Sequence, residues 1–275
     1  MEITELKITQ VDFEMAVPVA YSKDGFIFEA CAPFIESEYI DFRENVLSDV
    51  GVECVKVSVA LPRMVKNAVC VRGFLLAMRQ LDVVLTNTGF GVVSTQDTAP
   101  ASQARVNALE ENLRLLVLYH TRNTVYSLRA TDEWADTEAA ELCIPHLCWN
   151  YELMLTYAGY PVAYSNWRAI QPHIFVACKD VAENISPELM SVLVDVERHA
   201  HSESRWQRQL IADIQHTVAA FVSPNEPEYH KGIQRIMQYI ERNIDKFPEY
   251  RDSDTYKAKH YKGYENTKDS KMFVF

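Results

Sequence analysis

The stretch "PVAYS" stands at residues 18–22 and again at residues 161–165, and the residues around its two copies decide the fold. When four residues are left out of the first copy, Pro33 aligns with Pro172 at an offset of 139. At this offset two sets of residues repeat with the spacing of one face of an α-helix. The two sets are Ile35, Tyr39, Phe42 and Val46 in the first copy, and Ile174, Cys178, Val181 and Ile185 in the second. This agreement indicates an internal duplication.

The rest of each half follows the same order. A second helix is predicted at 61–80 and again at 205–222, and a third within 99–120 and again at 228–244. Each third helix leads to a similar exit, "RATDEW" in the first half and "RDSDTY" in the second. The sequence therefore predicts a mainly α protein built of two tandem related helical domains.

Two segments are predicted to belong to one copy alone. In the first copy, β-rich stretches flank "NTG", which predicts a β-hairpin near 82–95. The second copy adds a short helix with Ser186 as its N-cap and Pro187 at its first position. Pro33 and Pro172 are predicted to lie in the first turns of their helices, where a missing N–H is tolerated.

These patterns divide the chain into four parts. The segment between the repeats is apolar and aromatic, so it is predicted to pack between the domains rather than to act as a tether. The predicted parts are a first repeat at 1–134, a connecting segment at 135–160, a second repeat at 161–250 and an extended C-terminal arm at 251–275.

The arm differs from the rest of the chain in charge. The whole chain has a net charge of −11, and residues 251–275 contain six Lys/Arg and four Asp/Glu, so this segment carries +2 and the remainder −13. A segment with so little apolar surface is either a disordered tail or an arm that orders against another subunit. The second interpretation is preferred, and it assigns subunit contacts to Tyr264, Met272, Phe273, Val274 and Phe275.

The sequence shows no motif for catalysis, for a cofactor or for a metal, so no enzyme activity, cofactor or metal site is predicted. Cys143, His146 and Cys148 lie close together, but their spacing is not that of a zinc pair, and buried thiols are expected. His199 and His201 are expected to face solvent. "NTGFG" is taken as a hairpin turn rather than a phosphate loop.

Charge and composition exclude several classes of function. An acidic body repels phosphate, which argues against tight binding of nucleic acid. Six scattered cysteines suit free thiols in a reducing cytoplasm. The N-terminus lacks the pattern of a signal peptide, and the apolar stretches are too short for a membrane span.

Several stretches resemble a family of short structural proteins from phages and prophages of gut bacteria. In the second copy they are "QPHIFVACKDVAENISPEL" (171–189) and "RNIDKFPEYRDSDTY" (242–256). In the first copy the resemblance runs through "LDVVLTNTGFGVVSTQDTAPASQARV" (81–106). In size and layout these proteins are similar to the helical head–tail connector (adaptor) proteins of tailed phages.

The resemblance implies a virion protein at the neck of the particle, assembled in the cytoplasm of the host bacterium. It implies a homo-oligomeric ring that contacts the portal protein and the tail or neck proteins while double-stranded DNA passes through without sequence-specific binding. Two alternatives stay open. The protein could be another virion component, such as a tail-completion or capsid-decorating protein. It could also be an enzyme with a site between the repeats, and a pocket that brings Asp or Glu together with His would favour that alternative.

Overall fold

The computed structural model describes residues 6–20, 26–81, 84–86, 89–91, 102–200, 204–223 and 228–261. Nearly all of these residues lie in helices or in the short turns between them. The first repeat consists of α1 (Gln10–Ala16), α2 (Phe26–Phe42), α3 (Ser48–Val57), α4 (Leu61–Leu81), strands β1 (Val84–Thr86) and β2 (Gly89–Gly91), α5 (Gln103–Leu128) and α6 (Asp132–Ala135).

The connecting segment and the second repeat are helical as well. The connecting segment holds α7 (Glu138–Cys143) and α8 (Tyr151–Tyr157). The second repeat consists of α9 (Tyr164–Ile185), α10 (Pro187–Arg198), α11 (Arg205–Val222), α12 (Glu228–Arg242), α13 (Pro248–Arg251) and α14 (Asp254–Lys259). The helical class was therefore predicted correctly.

The buried side chains form two cores that meet within the connecting segment. The first core extends along the chain from Ile8 to Ile144, and the second from Leu147 to Tyr250. Both helix faces predicted from the repeat lie inside these cores, because all eight of their residues are buried. Leu115 and Leu118 of α5 pack against the second core, so this helix of the first repeat serves both.

The short helix α10 has a counterpart in the first repeat, so the prediction that only the second copy contains it is wrong. A one-turn π-helix, Arg43–Leu47, follows α2 and leads into α3, which occupies the place of α10. The backbone breaks at the same point in both repeats, with positive φ angles of 56° at Ser48 and 149° at Ser186. The predicted cap is confirmed, since Ser186 Oγ accepts a hydrogen bond from the Leu189 N–H at 3.1 Å.

The predicted positions of the two repeated prolines are also wrong. Pro33 and Pro172 lie in the interior of α2 and α9 rather than in their first turns, because both helices begin earlier than the repeat suggested. Each proline removes one hydrogen bond from its helix. Packing of the surrounding apolar face against α4 or α11 offsets that loss.

The prediction of a β-hairpin over 82–95 as an element of the fold is wrong. The described residues in this range form only the three-residue strands β1 and β2, paired antiparallel with Val84 opposite Gly91, and the others lie outside the described residues. A two-stranded pairing of this length is marginal by itself. Among the described residues, both cores are built from helices and the turns between them.

The predicted extended arm from residue 251 is likewise corrected. Residues 254–259 form α14, which Ser253 caps by accepting a hydrogen bond from the Tyr256 N–H at 3.1 Å. The Tyr256 ring packs against the Tyr250 ring of the second core. The second repeat thus continues to His260, and the five predicted contact residues from Tyr264 to Phe275 lie outside the described residues.

Candidate functional site

The two repeats meet in a polar cleft between α5 and the first turn of α9. The Ser165 N–H donates to Glu111 Oε1 at 2.6 Å, and the Arg114 guanidinium lies over the Tyr164 ring at 5.4 Å. The cleft has a volume of about 860 Å³. Residues from both repeats line it, including Glu110, Glu111, Arg114, Tyr164, Ser165 and Arg168.

The charged groups in this cleft are engaged with one another. Glu110 accepts hydrogen bonds from Arg114 and from Arg79, and these bonds lower the pKa of its carboxyl. The hydrogen bond to Glu110 raises the pKa of Arg114. An ionised carboxylate held between two guanidinium groups cannot donate a proton at neutral pH. The described residues that line the cleft include two carboxylates and two guanidinium groups but no histidine.

A buried ion pair joins the repeats at a second place. Arg129 Nη1 donates to Glu197 Oε1 at 2.7 Å, and Trp149 Nε1 donates to the same oxygen at 2.9 Å. The side chains of Arg129 and Glu197 are 7% and 10% exposed. The Ala200 N–H also donates to the Arg129 carbonyl at 3.2 Å. These contacts hold α10 against the end of α5. Glu197 uses its carboxylate to bind Arg129 and Trp149.

The cysteine and histidine group of the connecting segment contains protonated thiols. Burial raises the pKa of Cys143 to about 12 and that of Cys148 well above its ordinary value. His146 Nδ1 accepts a hydrogen bond from the Cys148 N–H at 3.1 Å, and burial lowers the pKa of its ring. In the part of the chain that the structure describes, no three metal-ligating side chains come together. The side chains of Cys143, His146 and Cys148 therefore pack within the connecting segment and do not form a metal site.

His199 was expected to face solvent, yet its side chain is only 13% exposed. Its Nε2 lies 3.3 Å from Asp136 Oδ1, and its Nδ1 lies 2.9 Å from the Asp195 carbonyl oxygen. Burial opposes protonation, but the Asp195 carbonyl and the nearby carboxylates outweigh it, so the pKa of His199 is raised. His199 therefore joins the second repeat to the start of the connecting segment, and His201 lies outside the described residues.

The carboxylates that repeat between the halves have different partners. Asp41 pairs with Arg72 on α4, which Glu38 also contacts. Asp180 instead accepts a hydrogen bond from the Tyr229 hydroxyl, and burial, together with this bond, raises the pKa of Tyr229. Both carboxylates hold one helix to another, so their repetition reflects the shared fold rather than a shared reaction.

An apolar groove on the first repeat was not foreseen from the sequence. It has a volume of about 370 Å³, and α2, α4, α5 and the turn after α1 contribute its walls. Three large apolar side chains at its rim are exposed: Phe26 by 69%, Val19 by 60% and Leu81 by 40%. Its other lining residues include the buried Phe74 and the partly buried Met78 and Leu109. These residues come from four separate segments, so no local pattern could have revealed the groove.

In the part of the chain that the structure describes, fold and sites define a mainly helical protein whose charged groups pair between helices and whose first half carries an exposed apolar groove. The family described as "Family of unknown function (DUF6712)" matches residues 33–142 and 215–260, which is more than half of the chain. The protein belongs to this family.

Two further comparisons gave no match. No curated protein and no solved structure resembles the chain at a significant level. None of the helices in the described ranges has the length and apolar character that crossing a membrane requires.

Proposed function

We propose that this protein is a structural subunit of a phage virion, a head–tail connector (adaptor) that forms a ring below the portal and links the capsid to the tail. The observation that carries this proposal is the exposed apolar surface of the first repeat. Val11, Met15, Val19 and Phe26 are all exposed there, close together in sequence. Apolar patches of this kind are typical of surfaces that other subunits cover.

The chemistry of the cleft supports an assembly role over a catalytic one. Glu110 pairs with Arg79 and Arg114 within the first repeat, and the hydrogen bond from the Ser165 N–H to Glu111 joins the cleft to the second repeat. Such contacts fix one helix relative to another. A subunit that must keep its shape within a ring benefits from repeats that are held at a fixed angle.

Charge supports the passage of DNA in the same proposal. With −13 on residues 1–250, the body of the subunit repels phosphate. A ring with such a surface lets double-stranded DNA pass without sequence-specific binding. The partners in this proposal are other copies of the chain, the portal protein and the tail or neck proteins. The site of action is the neck of the virion, after assembly in the cytoplasm of the host bacterium, and no cofactor takes part.

The test is to mix the purified protein with its cognate portal ring and to image the mixture by electron microscopy, with mass measured by light scattering. A connector adds a ring of defined copy number to the portal and leaves the free protein smaller than that ring. A protein that never binds the portal but is found on purified capsids or at the tail tip would be a different virion component. A protein absent from purified virions would overturn the proposal.

A further inference from the structure

The repeat itself shows that the apolar groove is unusual. Counted back along the helices from Pro33 in α2 and Pro172 in α9, Phe26 occupies the position of Ser165, and both residues lie in the first turn of their helix. In the second repeat this position is polar, and its backbone N–H is bound by Glu111 of α5. In the first repeat the same position carries an aromatic ring that is 69% exposed at the rim of a groove. In the second repeat, α5 of the first repeat thus covers this end of the unit. In the first repeat, the corresponding end is an open apolar surface.

We propose that this groove binds Met272–Phe275 from the C-terminal segment of a neighbouring copy of the chain. The sequence "MFVF" at these positions is an apolar run that follows the polar segment 262–271. In an extended conformation Phe273 and Phe275 point to the same side, because successive side chains alternate. Two phenyl groups on one side suit an apolar groove with a volume of about 370 Å³.

The geometry favours a neighbouring copy over the same chain. The segment follows α14, where Lys259 Nζ donates to the carbonyl of Asn184 in the last turn of α9. The groove lies near the opposite end of α9, since Val106 and Leu109 are on α5 just before Glu111, which binds Ser165. With 22 residues, α9 is roughly 33 Å long.

The length of the connecting residues is consistent with this choice. From Tyr261 to Met272 the chain could span at most about 40 Å if fully extended. Reaching its own groove would therefore require nearly complete extension across the surface, at a large cost in conformational entropy. The segment starts near one end of α9, and the groove lies near the other end. Binding between neighbouring copies is therefore a head-to-tail contact, the kind that closes into rings.

The groove can be tested with a labelled peptide of residues 268–275, blocked at both ends, whose binding to the full chain is measured by fluorescence anisotropy. We expect Phe26→Ala to weaken binding by at least tenfold. The matched control is Phe175→Ala, which replaces a side chain of similar exposure, 66%, on α9 outside the groove, and it should change binding less than twofold. Circular dichroism checks that both variants keep their helices. Absence of binding, or equal effects of the two variants, would overturn the inference.

A mixing experiment identifies the source of the segment. One chain carries Phe26→Ala, and the other carries Phe273→Ser with Phe275→Ser, so each alone lacks one half of the contact. A neighbour-to-neighbour contact predicts that the mixture forms 1:1 dimers while each chain alone does not. If the peptide binds but the mixture stays monomeric, the neighbouring copy is the wrong occupant.

This inference rests on the proposed function only in requiring that copies associate, and the two can fail separately. Rings on the portal without peptide binding would leave the connector proposal standing and remove the groove contact. Peptide binding by a protein that is absent from virions would support the groove contact and overturn the connector proposal.

Discussion

Glu197 lies in the last turn of α10 and is a charged residue, yet it is buried between the two repeats. Its oxygen accepts hydrogen bonds from Arg129 and Trp149, which are far from it in the chain. Removing one member of a buried ion pair leaves the other charge without compensation, and this usually costs about 3–5 kcal/mol. Glu197 should therefore be among the polar residues on which stability depends most.

We expect Glu197→Ala to lower the free energy of unfolding by about 3–5 kcal/mol, measured by urea denaturation. The control is Glu53→Ala, which breaks an exposed pair with Lys56 and should cost less than about 1 kcal/mol. The double variant Arg129→Leu with Glu197→Leu should recover much of the loss, because no buried charge remains. Equal effects of Glu197→Ala and Glu53→Ala would contradict this account.

His199 should make stability depend on pH in the neutral range. Its folded pKa is raised above the ordinary value of 6.5 by the Asp195 carbonyl and the carboxylates of Asp195 and Asp136, against the effect of burial. The stabilising contribution is therefore complete below a pH of about 6.5 and is lost as the pH rises through the folded pKa.

The matched variant for His199 is Asp136→Asn, which removes the carboxylate next to Nε2. Between pH 6 and pH 8.5, the difference in unfolding free energy between the wild type and this variant should shrink, by at most about 1 kcal/mol since Asp136 is largely exposed. A difference that stays constant or grows with pH would show that His199 is not charged at low pH in the folded state.

At the scale of elements, glycine allows two pairs of helices to cross closely. A Cβ added at Gly73 on α4 would lie 2.8 Å from the backbone Cα of Ile35 on α2. A Cβ added at Gly232 on α12 would meet only side-chain atoms of Thr217 on α11. Helix backbones cannot give way as a side chain can, so the two crossings should differ in their tolerance of alanine.

We expect Gly73→Ala to destabilise the protein by about 3 kcal/mol, near the upper end of the usual range for overpacking. Gly232→Ala should cost less, and Thr217→Ala in the same chain should recover part of its cost. Thermal unfolding followed by circular dichroism measures both. A Gly73→Ala protein that is as stable as the wild type would mean that α2 and α4 can separate freely.

The elements also show how far the sequence could predict the structure. The faces of α2 and α9 were predictable because long helices with regular apolar spacing carry a strong signal. Helix α3 was not, since Gly51 and its valines weaken the helical pattern, and only packing against the rest of the repeat makes "SDVGVECVKV" helical. The groove and the residues that line the inter-repeat cleft were not predicted, for a different reason. Both are built from residues that tertiary structure brings together, and no spacing along the chain encodes them.

At the scale of the whole molecule, two cores are joined through contacts that belong to neither alone. Ile144 lies in the first core and Leu147 in the second, only three residues further along the chain. Helix α5 adds Leu115 and Leu118 to the second core. This sharing should couple the stability of the repeats, so that neither unfolds while the other stays intact.

We expect one urea transition when helix content and tryptophan fluorescence are followed together, since Trp134 reports on the first core and Trp167 on the second. Removing the Arg129–Glu197 pair with alanine at both positions should separate the two curves. Two transitions in the wild type would show that the repeats are independent folding units.

The shared helix α5 also limits what can happen to the gene. When a unit is duplicated, either copy can at first be deleted without harm, because each still folds by itself. Leu115 and Leu118 of the first repeat cover part of the second core. Deleting the first repeat would therefore expose apolar side chains of the second, and deleting the second would expose these two leucines. A gene that encoded only one half would give a chain with exposed apolar surface, so each half of this chain constrains changes in the other.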